Sequence, residues 1–303
     1  MGALEAQLRL GLQDLARALD SGARLEGVQS LAGGVSADVY RLQLGYADGR
    51  SEDVVARVHG ASHSGHGAAL EFALLQALYA SDVPVPQPLM VHPAGVNRLT
   101  LPCLVMRFVV GQSELSSGSI DRSVAVMANM LQRIHATTLN PLPPLPDRLD
   151  PLPEVFDYLP DGDRWVALGA YLKTLRDTRY GGVPKLLHGD FWPQNLLWQR
   201  GEIVAVLDWE DAAMGDPLSD VAAAGLELRY QYGSKGMRLF LQAYAVRSPL
   251  DWRRLALWQI YVAAAAQHFM HSWGLPAARE KHMRRAAQAT MSEAFAQLTR
   301  VPT

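Results

Sequence analysis

The chain has 303 residues, 49% hydrophobic and 19% charged, enough to bury a substantial core in two unequal lobes and unlike the composition of a disordered tail or scaffold. A formal net charge of −2 offers no general attraction for polyanions. No stripe of alternating basic and aromatic residues tracks a nucleic-acid backbone either, so nucleic acid is not an expected partner. Cys103 is the single cysteine, which excludes an internal disulfide and any Cys-rich zinc site and points to a reducing cytoplasm.

Taken in order, Met1 to Asp20 carries Glu5 and Asp14 among its leucines and predicts an amphipathic helix, not a signal peptide. Ala6 stands where a myristoylation signal needs Ser or Thr. The Ala-rich run Val262 to Ala266 is far shorter than the roughly 20 apolar residues of a membrane span, so no membrane association is expected. Val28 to Leu31, Val39 to Leu44 and Asp53 to Val58 predict three antiparallel strands. Ala68 to Tyr79, with Leu70, Leu74, Leu75 and Leu78 at helical spacing, predicts a helix that stops before Pro84 and Pro86. Thr100 to Val110 is strand-like again and ends at Gly111.

Helical patterns dominate from there: Val124 to Thr137, Asp163 to Arg176, Ser219 to Tyr230, Lys235 to Ala245, Trp252 to Trp273 and Ala277 to Leu298. The proline-rich stretch Pro141 to Pro153 reads as a stiff internal connection. Asn195 to Trp209 reads as strand, turn at Arg200-Gly201, strand. The order is that of an α+β protein with an N-terminal antiparallel sheet and one helix, followed by a larger, mostly helical C-terminal part.

Chemistry concentrates in Leu187-His188-Gly189-Asp190 through Asn195, then Leu207-Asp208-Trp209-Glu210. A hairpin turning at Arg200-Gly201 would bring Asn195 near Val206, with Asp208 roughly 7 Å further on at strand rise. An amide oxygen and a carboxylate are the hard donors that magnesium takes, the rest of its shell being water and phosphate. Asp190, on the loop entering the hairpin, can orient a hydroxyl. Phosphoryl transfer asks mainly for positioning and charge neutralisation, so a weak base suffices.

His188-Gly189-Asp190 with Asn195 resembles the catalytic loop of the aminoglycoside phosphotransferase family, related to the H-R-D-x-x-x-x-N loop of protein kinases. Leu207-Asp208-Trp209-Glu210 resembles that family's metal-binding motif, and Met214-Gly215-Asp216-Pro217-Leu218-Ser219-Asp220 its next element. The resemblance implies a two-lobed protein-kinase-like fold with a nucleotide lobe over residues 1–106, a hinge over 107–111 and a catalytic and substrate-binding lobe over 112–303. It implies ATP and Mg2+ as cofactors, Asp190, Asn195 and Asp208 as catalytic residues, and Asn195 and Asp208 as metal ligands.

In the first lobe the resemblance places Gly33, Gly34 and Ser36 over the phosphates and assigns the nucleotide-gripping cation to Arg57, because Lys173, Lys185, Lys235 and Lys281 all lie elsewhere. Glu71 matches the family's ion-pair partner. Val105 to Val109 resembles the inter-lobe hinge, with backbone groups at Arg107 and Val109 facing adenine. The implied activity is transfer of the γ-phosphate of ATP to a hydroxyl of an aminoglycoside-, choline- or homoserine-like small molecule, by a cytoplasmic monomer or homodimer. A nucleotide-binding pseudokinase remains the rival, as does a protein kinase, although no Ala-Pro-Glu segment follows Asp208.

Other features read more plainly. Asp216 begins a helix and Asp220 holds the catalytic loop by hydrogen bonds. His59, His63 and His66 could bind a metal but nothing fixes their geometry. Trp258, Tyr261, His268 and Trp273 at helical spacing are core or line a pocket. Asp157, Asp161, Asp163, Glu210, Asp211 and Glu227 are surface charges or receive a cationic ligand.

Overall fold

The structure, a computed structural model, describes residues 2–31, 37–60, 65–95, 99–113 and 120–300. Gly33, Gly34, Ser36 and His63 lie outside the described residues. The chain divides into two compact units: Met1–Gly111 with Leu139–Pro144 and Val204–Asp211, and Gln112–Thr138 with Leu145–Ile203 and Ala212–Thr303.

The first unit is built on a five-stranded sheet. Its strands are β1 (Arg24–Leu31), β2 (Ala37–Gly45), β3 (Ser51–His59), β4 (Pro88–His92) and β5 (Cys103–Arg107), in the order β1-β2-β3-β5-β4. Every neighbouring pair is antiparallel. Side chains alternate across a strand, so Leu42 and Leu44, Val54, Ala56 and Val58, and Cys103 and Val105 share one face. There they bury against Leu12, Leu15 and Ala16 of helix α1 (Gly2–Leu19). The same alternation sends Arg57 and His59 to the opposite face, where helix α2 (Ala68–Tyr79) lies with Glu71 turned inward. β4 is absent from the sequence expectation because prolines bracket it. Pro88 is tolerated because it opens a strand at the sheet edge, where a missing N–H donor costs nothing.

In the second unit, helix α3 (Ile120–Ala136) buries Val124, Met127, Leu131 and Ile134 along one stripe. The proline-rich stretch contains more than a connection: it holds strand β6 (Asp147–Arg148) and leads into helix α4 (Leu152–Tyr158), whose first turn accommodates proline. Helix α5 (Asp163–Thr174) follows, then strand β7 (Lys185–Leu187). β8 (Leu196–Gln199) and β9 (Glu202–Val206) pair in a two-stranded sheet around Arg200 and Gly201, whose φ values of 53 and 81° are those of a type I′ turn. β10 (Ala213–Gly215) then lies between β6 and β7.

The two helices expected, Ser219 to Tyr230 and Lys235 to Ala245, lie on either side of a break at Gly233, with φ 66° and ψ −168°, within the span Pro217–Ala245, labelled α6. That backbone conformation is open to glycine alone among the usual residues. Helices α7 (Trp252–Phe269) and α8 (Ala277–Thr299) complete the unit. Its core joins Leu168 and Leu172 to Leu226, Ile260, Ala263 and Met291. Trp258 is buried in an edge-on contact with Tyr261 at 5.5 Å, so the aromatic stripe is packing at that point.

Gly215 shows how tightly β10 is held. A Cβ there would stand 2.0 Å from the backbone oxygen of Arg148 in β6, so a neighbouring strand would have to move. Gly215→Ala is expected to lower unfolding stability by about 3 kcal/mol, read as a lower urea midpoint at unchanged slope.

Candidate active site

Arg57 is the hub of a charged cluster in the first unit. Its Nη1 donates to both oxygens of Glu71 at 2.6 Å, and its Nη2 donates to Asp208 Oδ1 at 2.8 Å and to the Glu210 carboxylate. His59 Nε2 stands 3.2 Å from Glu71 Oε2. Only 6% of Arg57 and 1% of Glu71 are exposed. Burial pulls the guanidinium toward losing its proton, but Glu71, Asp208 and Glu210 outweigh it and push its pKa above the ordinary value. Burial likewise pushes the Glu71 carboxyl up, yet the hydrogen bond of His59 and the charge of Arg57 hold it below its usual range.

Asp208 reaches this cluster through an uncommon backbone state. Its φ is 60°, the left-handed region that non-glycine residues visit rarely and Asp more readily than most. Fully buried Trp209 next to it anchors the segment, its indole N–H donating to the Val206 carbonyl at 3.2 Å. His66 is near for a structural reason: its N–H donates to the Glu210 carbonyl at 2.7 Å. Among the described residues no group of three or more His, Cys, Asp and Glu forms a metal site by itself.

The second unit holds the loop from His188 to Asn195. Gly189, at φ 88°, allows two successive N–H groups to face one acceptor. His188 N–H and Gly189 N–H donate to the two oxygens of Asp220 at 2.7 and 2.9 Å. Asp220 comes from the first turn of α6, is wholly buried, and also meets His135 Nε2 at 3.1 Å. His135 Nδ1 is 2.7 Å from the Tyr244 hydroxyl. Burial pushes the Asp220 carboxyl up, but His135 and the His188 N–H prevail and hold it below its ordinary value.

Within the loop, Asp190 N–H donates to His188 Nδ1 at 3.2 Å. Asn195 Nδ2 donates to the backbone carbonyl and the carboxylate of Asp190, both at 2.9 Å. A carbonyl only accepts, so the amide nitrogen of Asn195 must face Asp190 and its oxygen is left for another partner. Asp216 caps α6 through Leu218 N–H at 3.0 Å and accepts from Arg254 Nε at 2.5 Å and Trp258 Nε1 at 2.6 Å. It therefore ties α6 to α7 and has a structural role.

Arg107 closes β5. Its N–H donates to the Gln87 carbonyl at 2.9 Å and its exposed guanidinium pairs with Glu52 at 3.0 Å. Half-buried Val109 follows two residues on.

Sequence reasoning missed a pocket of about 410 Å³ in the second unit, which Gln194, Glu227, Tyr230, Gln231, Arg279 and His282 help to line. Its members come from the catalytic loop, α6 and α8, and each is unremarkable in its own segment. Only the spacing of Arg279 and His282, three apart on a helix, carried a signal. Glu210, expected as a surface charge or a receiver of a cationic ligand, instead gives its carboxylate to Arg57.

Residues 27–258 match the phosphotransferase enzyme family, and the chain belongs to that family. An aminoglycoside phosphotransferase crystallised with AMP-PNP and hygromycin B superposes with a TM-score of 0.66 at 16% identity, covering 96% of this chain and 100% of that one. A choline/ethanolamine kinase family protein from Mesorhizobium loti gives 0.64 at 16% identity, over 98% of this chain and 99% of the other. A macrolide 2'-phosphotransferase from Brachybacterium faecium gives 0.58 at 20% identity, over 91% and 97%.

The fold is accordingly the two-lobed α+β kinase-like fold of that family. Acyl-CoA dehydrogenase family member 10 of Mus musculus is 27% identical over 188 residues, 52% of this chain. The chain spans about one sixth of that relative's length, its match covering 16% of it. No helix among the described residues is long and apolar enough to cross a membrane.

Removing the hub cation should expose the cost of the cluster. Arg57→Ala leaves Glu71 buried without its main counter-charge, and is expected to cost about 3–5 kcal/mol in unfolding stability. The double variant Arg57→Ala with Glu71→Gln should recover part of that loss in the same denaturant titration.

Proposed function

We propose that the chain transfers the γ-phosphate of ATP to a hydroxyl group of a small molecule, with Asp190 as the base that orients the attacking oxygen. The observation that carries this reading is the pair of 2.9 Å bonds by which Asn195 fixes Asp190, on a loop whose backbone is held in turn by Asp220. A half-exposed carboxylate held in that way can receive the hydroxyl proton as the new oxygen–phosphorus bond forms and ADP leaves.

The donor set fits magnesium. In the first unit, one guanidinium faces three carboxylates, an excess of negative charge that a divalent cation offsets. The Asn195 oxygen is a second hard donor. Asn195 and Asp208 would hold the ion, which supplies charge neutralisation on the nucleotide's terminal phosphates. Arg57, set by Glu71, would grip phosphate oxygens, the part that the family resemblance also assigns to Gly33, Gly34 and Ser36. Residues 107–111 join a nucleotide lobe over 1–106 to a catalytic lobe over 112–303, with Arg107 and Val109 offering backbone groups to adenine. With Cys103 buried and reduced, the cytoplasm suits the enzyme.

Two variants test the assignment. Asp190→Asn should cut ATP turnover by roughly three orders of magnitude while nucleotide affinity stays within about twofold, since the loop bonds survive and only the base is lost. Asp208→Ala should abolish magnesium-dependent turnover, and unchanged activity there would remove Asp208 from the site. A chain that binds ATP without consuming it under any acceptor would be a pseudokinase.

A further inference from the structure

The pocket in the second unit carries information about the acceptor, on the condition that the phosphotransferase reading above holds. Its wall runs from Gln194 of the catalytic loop, through Glu227, Tyr230 and Gln231 of α6, to Arg279 and His282 in the first two turns of α8. Tyr230 is only 8% exposed, yet its hydroxyl has no partner among the described residues, and the same is true of the buried amide nitrogen of Gln231. A buried polar group left unpaired costs roughly 1–3 kcal/mol, a cost that a bound ligand relieves.

Both orphans are donors. The Gln231 Nε2 can only donate. Burial, followed by the charge of Glu227, raises the Tyr230 phenol well above its ordinary pKa, so it keeps its proton. Arg279 and His282, three residues apart, share a face of α8, and a guanidinium has no acceptor at all. His282 Nε2 lies 3.1 Å from the Tyr230 carbonyl, so that nitrogen carries a proton and ties α8 to the last turn of α6 before its break at Gly233.

The one carboxylate among the described residues of the lining does not reverse this polarity. Burial, and then the charge of Asp190, push Glu227 up to about 8, with Arg279 opposing. At neutral pH it keeps its proton and adds another donor. A cationic substrate would therefore meet Arg279 and a set of donors, with no ionised carboxylate among the described residues of the lining to receive it.

We infer that this pocket recognises its substrate through an anionic group, a carboxylate received by Arg279, Tyr230 and Gln231, while the substrate's hydroxyl is presented to Asp190. The substrate class is then a small hydroxy acid and not a polycation. This reverses the expectation that Glu227 receives a cationic ligand.

The test uses the full chain and matched acceptors: ω-hydroxy acids from propanoate to hexanoate, their amides, and the corresponding amino alcohols. Binding is read by thermal shift and turnover by ADP release. The acids should bind at least about tenfold more tightly than the amides, equivalent to about 1.4 kcal/mol, and the amino alcohols more weakly still. Arg279 is exposed, so Arg279→Ala should fold normally and raise KM for the acid about tenfold or more, the loss falling on KM and not on kcat. Arg279→Lys should restore part of it.

Glu227 faces Asp190 from the loop, Tyr230 on its own helix, and Arg279 and His282 on α8. Its ionisation above pH about 8 adds negative charge to the pocket, so KM for the acid should climb there, and Glu227→Gln should remove that component. Tighter binding of amino alcohols, or acid binding indifferent to Arg279→Ala, overturns the inference. Acid binding through Arg279 without Asp190-dependent turnover upholds the anion site and sinks the phosphotransferase reading. Turnover of ammonium-bearing alcohols alone does the opposite.

Discussion

Asp220 accepts two backbone N–H groups from consecutive residues, His188 and Gly189, at a position with no exposure to solvent. A buried carboxylate is stable only where donors replace its lost hydration. The donors it uses here are the backbone of the very loop that must present Asp190. His135, itself bonded to Tyr244, completes the set and draws α3 and both halves of α6 into the same network. The loop thus inherits its position from three helical segments, and Asn195 passes that order on to the Asp190 side chain. The direction of the Asp190 carboxylate is thereby fixed by side chains distant from it in sequence.

The first unit solves a different electrostatic problem. The Arg57 guanidinium makes several directed bonds at once, where an ammonium would act as a point charge. With Glu71 on one side and Asp208 and Glu210 on the other, it links the sheet, α2 and the segment after β9. The arrangement still leaves negative charge in excess. That excess makes the cluster costly in isolation and receptive to a divalent cation. The left-handed backbone of Asp208 belongs to the same picture, being strain held in place by a buried tryptophan beside it.

The pocket between α6 and α8 holds a third balance, between its hydrogen-bond donors and the protonation of Glu227. A glutamate on a helix counts formally as negative charge, but its surroundings here favour the neutral form. Arg279 then sets the sign of the pocket. Solved structures of the same fold include a choline/ethanolamine kinase family protein and an aminoglycoside phosphotransferase bound to hygromycin B, and a fold by itself does not fix the acceptor.

The sequence by itself determined the elements with strong periodicity and the residues with local spacing. Helix α2, the β2 and β3 strands, the turn at Arg200-Gly201 and the His188 to Asn195 loop were all legible, because each depends on neighbours close in the chain. Arg57 and Glu71 were legible as a pair only through resemblance, being 14 residues apart. The tertiary structure alone decided the rest. It placed β4, where edge position excuses the prolines, and gave Glu210 to Arg57. It also gathered Gln194, Glu227, Tyr230 and Arg279 around one cavity and thereby decided which carboxylate keeps its proton. A pKa, a packing limit such as that at Gly215 and the sign of a pocket all depend on groups distant in sequence, and no local pattern records them.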